Sequence, residues 1–577
     1  MQLHLIDWLI IVVSLFLFLI IGFIVAKRSG KDSKSFFLSD RNMPWWLLGV
    51  SMVATTFAAD TPNFVAGLVR QEGVSGNWIW WSFLLTGMLT VFFYAKLWRR
   101  SGITTDLEFY ELRYSGKSAA FLRGFRAIYL GVFFNIVIMA NVCLAAIKIG
   151  HVMFGLSAVQ VLLIASPIVV VYSALGGLKG VLFTDFVQFL IAMVGSIWAA
   201  VYVINMPEIG GLTQLLASPV VAEKTPLFPD FSNPELVIPL LVIPLAVQWW
   251  SVWYPGSEPG GGGYIAQRML AAKDENHATW ATLFFNFAHY ALRPWPWIIV
   301  GFASLIIFPD LRSLQNAFPN LDASFVKDDL SYPAMLTFLP AGLLGIVVTS
   351  LIAAFMSTIS THLNWGSSYV VNDFYVRFLR KSAGNIEQVT VGRLSTVLMM
   401  IFAALLALVL DEAREGFNLL LSIGAGTGLL FILRWFWNRI NPYSEIAAML
   451  ISFIIAVFFF VNNKMGNPWI DLPGHWQLVM GVFVTTVGWI VVTLLTKPSK
   501  ASTLENFNKL IFKNESKYKS FGMKILGFFA GVVGTYTALF AIGNFVYGKI
   551  IIATTMLFVT IISSIVVGIT LRKSSIK

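Results

Sequence analysis

A bundle of α-helices that crosses a membrane many times is the fold class the sequence predicts, and three observations predict it. Of 577 residues, 57% are hydrophobic and 12% charged, whereas a soluble domain carries about 25% charged residues. The apolar residues fall in blocks of roughly 18–28, long enough to cross about 30 Å of hydrocarbon as helix. Lys and Arg collect in alternate loops between those blocks, the pattern of a polytopic chain. Backbone groups in lipid must be satisfied within their own segment, so blocks of this length mean helices and not barrel strands.

About fifteen spans follow from the apolar blocks. They fall near residues 5–26, 45–70, 78–98, 124–150, 157–175, 181–205, 236–256, 278–308, 335–375, 391–410, 415–437, 442–463, 476–496, 521–546 and 549–571. The ninth is too long for a simple span and is expected to continue as helix beyond the membrane. The first carries Asp7, lacks a basic leader and is followed by AKRSGK without a small-residue cleavage pattern, so it reads as a retained helix and not a secretory signal. The chain as a whole, 1–577, reads as one membrane domain.

The net charge of +11 would suit a nucleic-acid binder, but its placement assigns it to topology, and no nucleic-acid partner is expected. Basic loops follow spans one (Lys27, Arg28, Lys31, Lys34, Arg41) and three (Arg99, Arg100, Arg113, Lys117, Arg123, Arg126), and another precedes span fourteen. The intervening loops are acidic. Basic loops face the cytosol, so the N-terminus is expected outside and the C-terminus in the cytoplasm of a bacterial inner membrane. The single cysteine, Cys143, lies in an apolar stretch and supports no disulfide framework. No GxxxxGK[ST] loop is present, which argues against ATP-driven chemistry. The six histidines are scattered without a metal-protease spacing, and no enzyme is expected. No extramembrane stretch is long enough to suggest an appended catalytic domain, and no obligatory protein partner is inferred.

Polar residues and helix breakers inside the spans are the informative departures, because both are costly in lipid. Span two contains Ala54-Thr55-Thr56-Phe57-Ala58-Ala59-Asp60-Thr61-Pro62. Pro62 cannot donate to the carbonyl four residues back, so carbonyls near Ala58 are expected to be freed to coordinate a ligand; a kink packed in protein is the alternative. Span seven runs through Gln248-Trp249-Trp250-Ser251-Val252-Trp253-Tyr254 into Pro255-Gly256-Ser257-Glu258-Pro259 and four glycines. Two interrupted helices five spans apart fit the two halves of an inverted-repeat carrier; an ordinary loop after Tyr254 is the alternative. Span nine carries Ser357, Thr358, Ser360 and Thr361, hard oxygens suited to a weakly held Na⁺, although such hydroxyls also bond their own helix. Asp185 lies about one turn inside span six, an ion-site candidate or a structural salt-bridge partner.

Taken in order, the PWW entry to span two, GGLKGVLFTDFVQ, YIAQRMLAAKD and AAFMSTISTHLN resemble the solute:sodium symporter family, over roughly residues 5 to 440. The resemblance implies a leucine-transporter-type fold with inverted five-helix repeats at 45–205 and 236–440. The helix at 5–26 and those in 441–577 are then peripheral. It implies Na⁺ as coupling ion, held by the carbonyls of Ala54, Phe57 and Ala354 and the hydroxyls of Ser357 and Thr358. Some sialic-acid-type members are similar in having a second Na⁺ site, which here would use Asp185, Ser360 and Thr361. Candidate solute contacts are Asp60, Thr61, Trp253, Tyr254, Glu258 and Asn418. Glu258 and Arg293 are ionisable groups that would pair with each other or bind a charged solute. The expected function is Na⁺-coupled symport of a small polar solute by alternating access. A monosaccharide or related sugar is the leading solute, and an amino acid or carboxylate is the alternative; a membrane sensor or a channel is the alternative of another class.

Overall fold

The computed structural model describes residues 3–29, 33–251, 258–319, 321, 323, 326–409, 424, 426–465, 468–513, 516 and 520–573. Among them, all named elements of regular structure are helical. Eleven helices are long and apolar enough to cross a membrane, and three shorter apolar helices occur at Trp45–Thr55, Ala158–Val171 and Pro234–Trp250. Together these fall on every predicted span except the one at 415–437, where the described residues 424 and 426–437 hold only the short helix Gly428–Leu433.

Nine elements position the site. They are α1 (Leu5–Ser29), α2 (Trp45–Thr55), α3 (Thr61–Glu72), α4 (Val74–Ser101), α5 (Lys117–Phe154), α6 (Ala158–Ile204), α7 (Gly263–Ala271), α8 (Glu275–Ile307) and α9 (Leu343–Leu379). The spans predicted at 157–175 and 181–205 are the two arms of α6, joined through Gly177. That residue has φ +54°, and a Cβ there would meet the Phe36 carbonyl oxygen at 2.7 Å, so only glycine fits both the turn and the close approach. A capping box between Ser157 and Gln160 starts the helix and satisfies two of its orphan N–H groups.

Burial separates centre from periphery. The most apolar windows of α8 and α9 are 83% and 89% buried, whereas that of the last helix, Ile550–Lys573, is 22% buried. The exposed side chains of the last helix, such as Ile551, Phe558 and Ile565, are large and apolar, as a lipid-facing surface requires. The helix Phe521–Val546 packs along Ile550–Lys573, and Pro442–Lys464 along Gly474–Leu495.

Several arginines that mark the basic loops in sequence are not solvated charges. Arg113, Arg123 and Arg126 are all buried. Arg123 Nε lies 2.7 Å from Asp373 Oδ1 and Nη1 2.8 Å from Glu111 Oε2, and Arg113 donates to the carbonyls of Arg434 and Trp437. These side chains stitch the spans together at their basic end.

Asp7, the acid within the first span, caps a second helix. Its Oδ1 accepts from the backbone N–H groups of Gly342 (2.7 Å) and Gly345 (2.8 Å), at the start of α9. A carboxylate there satisfies orphan donors and opposes the positive end of the helix. Contact is close because position 345 is glycine: a Cβ would lie 2.7 Å from Asp7 Cα. Asp7→Ala is expected to cost about 1–3 kcal/mol by stranding buried donors, read as a lower unfolding temperature in detergent. Asp7→Asn, which keeps one acceptor oxygen, lowers it less.

Candidate functional site

The span predicted at 45–70 is two helices with a gap. α2 ends at Thr55, α3 begins at Thr61, and residues 56–60 are not helical. Pro62 stands in the first turn of α3, where its missing N–H costs nothing. The carbonyl of Ala58, expected to be free, accepts from the Thr61 N–H at 3.1 Å. Those of Val53 and Ala54 both accept from the Phe57 N–H. The Thr55 carbonyl is instead met from another helix, by Thr358 Oγ1 at 2.9 Å.

That bond belongs to a seam between α2 and α9. Thr55 Oγ1 donates to the Ser51 carbonyl (2.9 Å) and lies 3.0 Å from Thr361 Oγ1, so the Thr361 hydroxyl donates to Thr55. Arg268 of α7 donates through Nη2 to Thr361 Oγ1 at 2.7 Å. Beside this chain sits Asp185 of α6, wholly buried. Its Oδ1 accepts from Ser357 Oγ (2.7 Å) and its Oδ2 from Ser51 Oγ (2.5 Å). Arg268 Nη2 stands 3.8 Å from Oδ2. One carboxylate therefore joins α6 to α2, α7 and α9.

The arrangement has definite lone-pair chemistry. A hydroxyl that spends its proton on a protein acceptor turns its remaining lone pair outward, as a hard-cation ligand must. Ser357 spends its proton on Asp185 and Thr358 on the Thr55 carbonyl. Ser360 spends its own on the Ser357 carbonyl at 3.0 Å. Thr361 is different, because it both donates to Thr55 and accepts from Arg268. Ala54, Phe57 and Ala354 are buried around the same seam, each at most 3% exposed.

The expected solute contacts are placed less uniformly. Asp60 is exposed and Thr61 half-buried at the gap between α2 and α3, with Thr61 Oγ1 3.4 Å from the Thr56 carbonyl oxygen. Trp253, Tyr254 and Asn418 lie outside the described residues. Glu258 is buried, and its Oε1 accepts from Arg126 Nη2 at 2.6 Å. The anticipated pairing of Glu258 with Arg293 is therefore corrected: the chain after Glu258 docks against α4 and α5. Gly260 and Gly261 take φ values of +86° and +93°, and the Gly260 carbonyl accepts from Trp98 Nε1 at 2.7 Å. Arg293, on α8, instead faces the gap in span two, with Nη1 3.4 Å from Thr56 Oγ1.

Sequence reasoning missed Ser51, Thr55 and Arg268 as members of the seam, and His289 beside Arg293. Ser51 and Thr55 are spaced i, i+4, which puts them on one face of a helix, as are Ser357 and Thr361. Two such hydroxyl faces were a legible signal. The approach of Arg268 to Asp185, 83 residues away in sequence by the numbering, had no local sign.

Comparison with known proteins agrees with this architecture. The sequence pattern of the sodium:solute symporter family matches residues 36–452. The chain is 26% identical to a sodium/glucose cotransporter of Vibrio parahaemolyticus, over 75% of this chain and 80% of that protein. It is also 26% identical to a sodium/sialic acid symporter of Proteus mirabilis, over 88% of this chain and 99% of that one. A sodium/proline symporter of Salmonella typhimurium is again 26% identical, over 86% and 94%. A solved Na⁺-coupled sialic acid symporter in a substrate-bound outward-open state superposes with a TM-score of 0.68 at 20% identity, covering 86% of this chain and all of that one. The fold is thus of the leucine-transporter type. A family match over most of the chain settles the assignment: the protein belongs to the sodium:solute symporter family, a transporter with Na⁺ as its coupling ion and not an enzyme.

Proposed function

We propose that the protein carries a small polar solute together with Na⁺ by alternating access, with residues 45–205 and 236–440 as its two inverted repeats. The single observation that carries this reading is the seam where hydroxyls of α9 meet the open end of α2. In this reading Na⁺ binds between the carbonyls of Ala54, Phe57 and Ala354 and the hydroxyls of Ser357 and Thr358. All are neutral ligands, which suits an ion that must be released in every cycle. The broken helix supplies carbonyls without the cost of a buried charge.

A second Na⁺ site at Asp185, Ser360 and Thr361 belongs to the same proposal. Here Arg268 already stands beside the acid and on Thr361. A Na⁺ bound to both would have to displace the guanidinium, because two cations cannot share one desolvated carboxylate without strong repulsion. The orientation proposed is N-terminus outside and C-terminus cytoplasmic, in a bacterial inner membrane.

For the solute, a monosaccharide or related sugar remains the leading class, supported by relatives named for glucose, sialic acid and myo-inositol. An amino acid is the second reading, supported by the proline symporter. Solute contacts are proposed at Asp60 and Thr61 beside the gap, with Trp253, Tyr254, Glu258 and Asn418 as further candidates. An aromatic ring under a sugar face contributes on the order of 1 kcal/mol. Trp253→Ala is accordingly expected to weaken solute affinity roughly fivefold while leaving Na⁺ binding without solute unchanged.

Two measurements test the ion sites in proteoliposomes. Ser357→Ala with Thr358→Ala is expected to raise the Na⁺ concentration for half-maximal uptake several-fold at equal protein abundance. Unchanged Na⁺ dependence in that double variant removes the first site. The wild type is expected to show a Na⁺ Hill slope above one that falls towards one in Asp185→Asn. A wild-type slope of one, matched by direct ion counting, removes the second site.

A further inference from the structure

The helix Phe521–Val546 runs antiparallel to α4 and in close contact with it. A Cβ at Gly531 would meet Met88 Sδ at 2.8 Å, and one at Gly527 would run into the Phe92 ring. Further along, Tyr536 Oη donates to the Trp81 carbonyl at 2.9 Å. Each step of about four residues along one helix is thus a step of four back along the other, and this register sets Lys524 level with Ala95 and Lys96. Lys524 Nζ lies 5.9 Å from the Phe93 ring centre, and Phe93 meets the Phe521 ring edge-on at 5.8 Å. Lys96 and Lys524 are both half-buried. Lys96 stands near the end of α4 and Lys524 in the first turn of its helix, where long ammonium side chains reach the headgroup layer.

The two lysines belong to a larger group of cations. Lys96, Lys524 and Arg100 act on one another electrostatically, and Lys513 lies 3.6 Å from Glu275 Oε1 in the same group. Among the described residues Glu275 is the acid of this group, and Arg100 already holds both its oxygens, with Nε 2.9 Å from Oε1 and Nη2 2.7 Å from Oε2. Four cations therefore gather around one engaged carboxylate. Lys524 also stands at the positive end of its helix, where a further cation is unfavourable. Like charges crowded at a partly desolvated edge repel one another. The surface beside them is apolar: Phe521, Leu526 and Phe529 are 46%, 50% and 59% exposed, as side chains that face acyl tails are. Clustered cations between spans, flanked by apolar surface, form the setting in which an anionic headgroup is held.

We propose that an anionic phospholipid binds at this edge, with its phosphate between Lys96 and Lys524 and its acyl chains along Phe521, Leu526 and Phe529. The lipid offsets the repulsion between the two ammonium groups and so holds the helix Phe521–Val546 against α4. Neither the Na⁺ ligands nor the gap in span two takes part in this site, so it stands apart from the choice of solute.

The test uses the purified full chain in a neutral detergent. Its unfolding temperature is followed as phosphatidylglycerol, or phosphatidylcholine with the same acyl chains, is added. Phosphatidylglycerol is expected to stabilise the wild type with an apparent affinity at least about tenfold greater than phosphatidylcholine. Lys96→Gln and Lys524→Gln are each expected to weaken the phosphatidylglycerol affinity about fivefold and to leave the phosphatidylcholine response unchanged. Lys524→Arg keeps the wild-type affinity, and so does Lys381→Gln, which removes an exposed charge after α9. The transition in detergent alone shows that each variant is folded. Native mass spectrometry of the wild type gives a reading that needs no variant: phosphatidylglycerol adducts are expected to survive an activation energy that strips phosphatidylcholine. Equal affinity or equal adduct survival for the two lipids overturns the proposal. So do glutamine variants that both keep the wild-type affinity, or an equal loss in Lys381→Gln, which would mean diffuse surface attraction. Stabilisation by inorganic phosphate alone as large as that by phosphatidylglycerol assigns the cations to a free anion and also overturns it.

Discussion

A single desolvated carboxylate organises the centre of this protein. Asp185 has no access to water in the structure, and it is held by one hydroxyl from α2, one from α9 and a guanidinium from α7. Breaking a buried ion pair by removing one partner typically costs about 3–5 kcal/mol, because the other charge is left uncompensated. The helices that carry Ser51, Ser357 and Arg268 are therefore tied in relative position by the need to keep one acid paired. The seam from Arg268 through Thr361 and Thr55 to the Ser51 carbonyl follows from that constraint, and so does the meeting of Thr358 with the open end of α2.

Four buried arginines show how differently the same charge is used. Arg268 answers an acid and a hydroxyl of the seam. Arg126 answers Glu258 and stands 3.8 Å from Glu445, while Arg434 lies 3.5 Å from the same Glu445. That network pins the chain at Glu258 to α5 and to the helix Pro442–Lys464. Arg293 touches two rings, an imidazole, the Val53 carbonyl and Thr56 Oγ1, and its opposite charge is Asp60 at the gap in span two.

The interrupted helix places these elements around one break in the backbone. A continuous α2–α3 would bond its own carbonyls and present a smooth apolar face. The gap at 56–60 leaves the Thr55 carbonyl to be met by α9, and Arg293 Nη1 approaches Thr56 at the same gap. The hydroxyls of the α9 seam and the Arg293 guanidinium both touch residues at this break, so a change in the break's position is felt by both. Coupling between two bound species needs such a shared element.

Much of this was legible in the sequence because it depends on local chemistry. Apolar block lengths read out the spans, and Thr-Thr-Phe-Ala-Ala-Asp-Thr-Pro read out the gap, since its small and hydroxylated residues with a proline are unfit for a lipid-exposed helix. Ser357, Thr358 and Asp185 stood out because polar groups are costly in lipid. Tertiary structure alone decided which of these groups answer one another. Pro62 proved to begin α3 and not to kink it. Asp7 proved to cap a helix more than 330 residues away by the numbering, Glu258 to answer Arg126, and Asp185 to answer Arg268. Helix formation in lipid is set by each segment's own residues, whereas charge pairing is set by which helices pack side by side, and nothing in a one-dimensional pattern fixes that neighbourhood.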